Sequence, residues 1–187
     1  MLKPTFLAEQ LLIAMPGLED GYFSRTVALV CQHDENGAMG LVLNVDSEYT
    51  LGTLFDQLDM PCQNPKLRQQ TVLAGGPVNP ERGFVLHNDG IRWDSSMQLG
   101  NGMSISTSRD ILTALANGSG PEQFQVLLGY SGWAAGQLEE ELADNAWLNA
   151  PASTEIVFNA PVAERWQAAA QQIGVDLSLI SLQSGHA

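Results

Sequence analysis

Hydrophobic and polar positions divide the chain into short runs. Leu11 to Met15 is apolar and closes on Pro16-Gly17, which predicts a buried strand entering a turn. Thr26 to Gln32 (TVALVCQ) and Ala38 to Asn44 (AMGLVLN) are two further runs rich in strand-forming residues. The polar stretch His33-Asp34-Glu35-Asn36-Gly37 between them predicts a hairpin loop. Thr50 to Leu58 changes period: Leu51, Leu54, Phe55 and Leu58 recur as on one face of a helix, and Pro61 stops it. Residues 59–70 read as a polar loop. Thr71 to Ala74 leads into Gly75-Gly76-Pro77, a turn. Gly83 to His87 and Gly102 to Thr107 predict strands. Thr107 or Ser108 can cap a helix to about Ala116, with Asp110 completing a capping box and Gly118 in the C′ position. Gln123 to Tyr130 (QFQVLLGY) predicts a strand, Ala134 to Ala143 an acidic helix with Glu139, Glu140 and Glu141 near one solvated face, and Thr154 to Phe158 a last core strand. Ala160 to Ile173 predicts a helix ended by Gly174. Leu177 to Leu182 reads as a short terminal strand or tail.

Strands thus come first, in hairpins, and helices follow singly. That order predicts an α+β fold with a mixed or antiparallel sheet rather than a doubly wound βαβ array. No internal repeat and no linker-like shift in composition interrupts residues 1–187, so we expect one domain, with residues 59–70 the best point for an insertion. A length of 187 residues with 44% apolar residues suffices for a sizeable core.

Charge narrows the partners. Eight Lys and Arg stand against 21 Asp and Glu, a net charge of -13. The basic residues are dispersed, with Lys66 and Arg68 the one close pair. Nucleic-acid affinity rests on neutralising phosphates, so direct DNA or RNA binding is disfavoured, and an anionic membrane surface likewise. No apolar run reaches the roughly 20 residues that span a bilayer. The N-terminus lacks signal-peptide character, because Glu9 and Gln10 interrupt its apolar stretch. We therefore expect a cytoplasmic protein. Cys31 and Cys62 show neither a CxxC nor a zinc spacing and read as reduced, buried thiols.

Candidate chemistry is sparse. Gly129-Tyr130-Ser131-Gly132-Trp133 resembles a nucleophile elbow, but Trp133 occupies the position that requires glycine. Ser131 reads instead as the cap of the following helix. The run from Gly100 has Ile105 where a dinucleotide loop needs its third glycine. Gly75 and Gly76 could offer turn amides to an anion. His33 falls in the hairpin loop and His186 in the tail; none of the three histidines has metal-ligand spacing. His87, ending a strand, is the one candidate acid or base, with a satisfied structural role its bland alternative. Arg25, Arg82 and Arg92 are scarce cations suited to an anionic ligand, or to internal ion pairs with the many acids.

Several strings together resemble the AlgH/YqgE family of bacterial proteins. They are Leu12-Ile13-Ala14-Met15-Pro16 with Asp20 and Phe23, Gly40-Leu41-Val42-Leu43-Asn44, Gly75-Gly76-Pro77-Val78, Gly129-Tyr130-Ser131-Gly132-Trp133 with Gly136-Gln137-Leu138-Glu139, and Trp147-Leu148. They span nearly the whole chain in order. The resemblance implies a mixed, largely antiparallel sheet curled into a partly open barrel with helices packed around it. Members of the family are often labelled transcriptional regulators. The resemblance brings no catalytic residue and no cofactor, and Ser131 stands where similar proteins typically carry Ala.

We accordingly expect a non-catalytic regulatory or binding protein that works through a protein partner or a small ligand, with no cofactor and no metal. The alternative is a hydrolase or transferase acting on a small anionic substrate. The expected site comprises Gly75, Gly76, Pro77, Arg82, Tyr130, Ser131, Trp133 and Gln137. Two glycine-rich strand exits should adjoin there, with Trp133 and Tyr130 adding amphipathic surface. The competing view makes Trp133 a core anchor and the glycines packing devices.

Overall fold

The computed structural model describes residues 6–18 and 20–184. The chain begins with β1 (Gln10–Ala14), β2 (Val27–Asp34) and β3 (Gly37–Val42), then β4 (Asp46–Thr50), α1 (Leu51–Gln57), the single turn α2 (Pro65–Arg68) and β5 (Thr71–Ala74). There follow β6 (Val78–Asn88), β7 (Ser96–Gly100), β8 (Met103–Ser106), α3 (Arg109–Asn117), β9 (Phe124–Ala134), α4 (Gln137–Ala143) and β10 (Trp147–Pro151). A π-helical turn (Glu155–Asn159) and a 3-10 turn (Val162–Glu164) lead to α5 (Arg165–Gln172) and α6 (Leu177–Ser184).

The strands among the described residues form one mixed, largely antiparallel sheet in the order β10-β1-β2-β3-β9-β6-β8-β7, with β5 also on β9 and β4 on β5. It curls into an open half-barrel. Its spine is β9, which changes partners along its length. Ser131 to Ala134 pair with β3, whereas Phe124 to Leu128 pair with β6 on one edge and, through Leu127 and Leu128, with β5 in parallel on the other. Gly129, with φ 74°, marks the change.

Leu11 to Ala14 of β1 and Val27 to Cys31 of β2 are apolar at every step because both faces are covered. Leu11, Ile13, Val27 and Leu29 point into the barrel, against Leu41, Leu43 and Leu73. Leu12, Ala14, Ala28 and Val30 point outward and are covered by Trp133, Trp147 and Leu138. A third cluster joins the far face of β6 and β9 to α1 and α3, through Val85, Val126, Leu51, Phe55, Ile111 and Leu115. The C-terminal helices close the barrel. Trp166 donates its indole N–H to the Ala14 carbonyl at 2.9 Å. Arg165, 3% exposed, donates to the carbonyls of Leu43 and Ala160 and to Gln125 Oε1. Burial pulls its guanidinium below the usual arginine pKa. The bonds to Leu43 and Ala14 tie α5 to residues more than 100 positions earlier, which no local pattern encodes.

Several sequence expectations need correction. Thr154–Phe158 is not a strand: residues 155–159 form the π-helical turn, and the last strand is β10, eight residues earlier. Thr154, Ile156, Val157 and Phe158, interrupted by Glu155, fit either state. Leu177–Leu182 belongs to a helix, started by Asp176, whose carboxylate accepts the Ser178 N–H at 3.0 Å. The predicted helix from Ala160 begins only at Arg165, after Pro161 and the 3-10 turn. The polar loop at 59–70 contains α2, capped by Asn64 and started by Pro65. The hairpin turn is only Glu35-Asn36, so His33 lies within β2 and is buried. Ser131 caps no helix; it sits inside β9, and Gly136 occupies the N-cap of α4. Ser108 precedes α3 as expected, but its hydroxyl donates to Asp110 and accepts the Ser95 N–H, and bonds no amide of the helix's first turn. Strands β4, β7 and β10 carry no alternating pattern strong enough to mark them beforehand.

Candidate functional site

The site begins with a crossing of backbones. Because β5 and β6 lie on opposite edges of β9, the connection Gly75-Gly76-Pro77 must pass over the face of β9. It does so at Tyr130 and Ser131. A Cβ on Gly76 would fall under 3.0 Å from the Tyr130 carbonyl group and the Ser131 nitrogen, a separation real side chains do not adopt. Ser131 Oγ donates to the Gly75 carbonyl at 3.2 Å, and the Gly75 N–H donates to the Leu128 carbonyl at 2.8 Å. The Gly75 amide, which could have received an anion, is thus engaged within the fold.

Beyond the crossing, Val78 pairs with Tyr130 and Gly83 with Leu128, so Asn79 to Arg82 bulge out opposite the single residue Gly129. The bulge carries Arg82 to the mouth of a cavity of about 390 Å³ whose lining includes Tyr130, Phe84, Ser95, Ser96 and Thr107. Met39, Met97 and Ile105 supply its apolar floor. The Arg82 guanidinium lies 5.2 Å from the Phe84 ring centroid, and Tyr130 meets the same ring edge-on at 6.1 Å. Arg25 likewise lies over a ring, that of Trp166 at 5.7 Å. Neither arginine forms the internal ion pair that was one expectation; among the described residues Arg68 pairs with Asp56, and His33, whose Nδ1 accepts the Leu7 N–H, donates from Nε2 to Glu139 as a hydrogen bond. A second, more apolar hollow of about 240 Å³ between α1 and α3 shares Phe84 and Thr107 with the first. The larger cavity combines a cation, hydroxyls and aromatic faces, the mixture that small-ligand sites use.

Of the eight sequence-derived residues, the structure gathers Gly75, Gly76, Tyr130 and Ser131 at the crossing and Arg82 and Tyr130 at the cavity. Pro77 is exposed on the connection. Trp133 and Gln137 fall elsewhere. Trp133, 5% exposed, stacks on Phe23 and meets Trp147 edge-on. Glu141 accepts both indole N–H groups, at 2.9 and 2.8 Å. Gln137 accepts the Ala134 N–H and donates to Glu141, closing the start of α4. The acidic run is only in part a solvated face: Glu140 is exposed, whereas Glu141 holds the two indoles and Glu139 lies 2.7 Å from His33 Nε2. Sequence reasoning missed Ser95, Ser96, Phe84 and Thr107. No motif or period in the sequence joins these four positions. Among the described residues no group of three or more His, Cys, Asp or Glu could hold a metal ion, and no helix is long and apolar enough to cross a membrane. Cys31 and Cys62 are both buried and free.

Fold and cavity together define an α+β half-barrel protein with a mixed polar and aromatic pocket on its sheet. The chain belongs to the AlgH-like family, whose model matches residues 11–178. It is 55% identical to a UPF0301 protein of Xanthomonas campestris pv. campestris (strain B100) over 184 residues, 98% of each chain. It is equally similar to a UPF0301 protein of Stenotrophomonas maltophilia (strain K279a), over 99% of this chain and 98% of that one. The solution structure of the AlgH protein from Pseudomonas aeruginosa superposes with a TM-score of 0.80 at 46% identity, covering 100% of this chain and 99% of the other. A Corynebacterium diphtheriae protein, 24% identical, shares the fold with a TM-score of 0.75 over 97% and 94% of the two chains. Membership fixes the fold and leaves the molecular activity to be argued from the site.

Proposed function

We propose that this is a regulatory protein of the cytosol that binds a small ligand bearing an anionic group in the Arg82–Tyr130 cavity and acts through a protein partner. The observation that carries the reading is Arg82. Among the described residues no carboxylate pairs with it, although the chain holds 21 acids. It stands over an aromatic ring at the mouth of a cavity lined with hydroxyls. An arginine so placed offers a planar fork to a carboxylate or phosphate, while Phe84 and Tyr130 supply flat apolar surface for the rest of the ligand. The net charge of -13 repels a nucleic-acid backbone, so any link to transcription runs through the partner.

The test is a titration of the isotope-labelled protein with small carboxylates and phosphates, followed by backbone amide shifts. Shifts should cluster at residues 82–84, 95–97 and 130. Arg82→Gln should weaken binding by roughly tenfold or more, the equivalent of one charge-assisted hydrogen bond. Binding that shifts other residues, or that Arg82→Gln leaves unchanged, removes the reading.

A further inference from the structure

We propose that Ser96, at the rim of the same cavity, is an acyl-acceptor hydroxyl activated through Ser106 by the buried His87. The inference goes beyond ligand binding and rests on independent geometry. His87 Nδ1 lies 2.9 Å from the Asn88 carbonyl oxygen, which can only accept. In the neutral ring the hydrogen therefore sits on Nδ1, and Nε2 presents its lone pair. That lone pair faces Ser106 Oγ at 2.7 Å, so Ser106 donates to it. Ser106 Oγ in turn lies 2.8 Å from Ser96 Oγ and, its own hydrogen engaged, accepts from Ser96. The Trp93 N–H donates to Ser96 Oγ at 3.2 Å and helps hold it in place, and the Trp93 carbonyl, at 3.5 Å, is the more distant of the two acceptors within reach of the Ser96 hydrogen. The carbonyl of Asn88 thus sets one direction along the whole chain, outward from the core.

Burial grades the three residues as a relay needs. His87 is 1% exposed and Ser106 0%, whereas Ser96 is exposed and lines the cavity. The sheet fixes their spacing. Ser96 is directly opposite Ser106 across β7 and β8, and His87 reaches Ser106 diagonally from β6, where Ser106 pairs with Val85. Next to Ser96, the hydroxyls of Ser95 and Thr107 lie 2.9 Å apart. One hydrogen serves that bond and the other remains for a ligand oxygen. A base-activated hydroxyl beside a free donor is the arrangement that attacks an acyl carbon.

The chemical class that fits is an ester or thioester. Ser96 Oγ bonds to the acyl carbon while its hydrogen passes to Ser106 and that of Ser106 to His87 Nε2. The bond from the acyl carbon to the departing oxygen or sulfur breaks, and that atom takes up the proton, which leaves the ring through Ser106. The product is the Ser96 ester and a free alcohol or thiol, with no oxidant or reductant involved.

The experiment treats the full chain with p-nitrophenyl acetate and with a fluorophosphonate, both uncharged at the reacting end, and maps the adduct by peptide mass spectrometry. Neither reagent needs Arg82, so the outcome is separable from that of the anion-binding titration. We expect a single adduct on Ser96, absent in Ser96→Ala. Ser106→Ala should label roughly 100-fold more slowly, the contribution of a positioned base. Wild-type labelling should also be slower in deuterium oxide, a readout that needs no variant. An unlabelled protein, an adduct on another residue, a folded Ser106→Ala that labels at the wild-type rate, or no solvent isotope effect each overturns the proposal.

Discussion

The crossing of the β5–β6 connection over β9 makes Gly76→Ala the most informative single change. A methyl group there has no free space, because three backbone atoms of Tyr130 and Ser131 lie under 3.0 Å from the Cβ position and belong to the central strand. Relief requires the connection to lift. Lifting breaks the bonds that hold it: Gly75 N–H to Leu128 and Val42 N–H to Gly75, both 2.8 Å, and Ser131 Oγ to Gly75 at 3.2 Å. Each is worth about 1 kcal/mol net. Residual overpacking adds about 1–3 kcal/mol. We therefore expect a loss of about 4–6 kcal/mol, a large share of the roughly 5–15 kcal/mol that holds a domain together. At roughly 2–4 °C per kcal/mol for a chain of this size, the melting temperature should fall by at least about 8 °C. The assay is urea unfolding followed by circular dichroism, compared at equal m-value. Gly83→Ala is the control, since its Cβ meets nothing within 4 Å and should change stability by no more than about 0.5 kcal/mol. A Gly76→Ala protein within about 1 kcal/mol of wild type, with unchanged m, would refute the close-approach argument.

Two further outcomes follow from buried and hydrogen-bonded groups. Burial pushes the Cys31 thiol up to about 12, so in a Cys62→Ser background the native protein should react negligibly with a disulfide reagent at pH 8 and fully once unfolded; rapid native reaction would contradict the burial. Burial raises the Asp110 carboxyl, but bonds from the Ser108 hydroxyl and from the Asp94 and Ile111 N–H groups together hold it below the usual aspartate value. Its contribution is therefore present above about pH 4 and fades as pH falls through the folded value, so the loss of stability between neutral and acid pH should be smaller in Asp110→Asn, and an unchanged loss would remove this account.

The apolar runs that became β1, β2 and β3, the helical period of α1 and the left-handed glycine after α3 were all legible, because each depends on contacts within a few residues. The glycine pairs at 75–76 and 129–132 were visible as unusual, but not why. For Gly75, Gly76 and Gly129 the reason is that two backbones separated by 54 positions cross without room for a side chain, as for Gly76 over Tyr130, whereas a Cβ on Gly132 would meet nothing closer than 3.9 Å. Trp133 and Gln137 shared a string with Tyr130, yet the period of two in a strand places Trp133 in the aromatic cluster with Trp147 and Glu141. The reverse happened with Ser96, Ser106 and His87. They occupy separate strands and have no common motif, and only the registers of β6, β7 and β8 bring Ser106 within 3 Å of both His87 and Ser96.

By itself the sequence determined the class of fold, the excess of negative charge and the presence of Arg82 as a scarce cation. Those follow from composition and from the periods of 2 and 3.6, which act at short range. Tertiary structure decided that Thr154–Phe158 would coil rather than pair, that Gly75 would hide its amide, and that Arg82, Phe84 and Tyr130 would share one cavity. The last two depend on which edge of β9 a distant strand occupies, and that choice is made by the packing of the whole sheet.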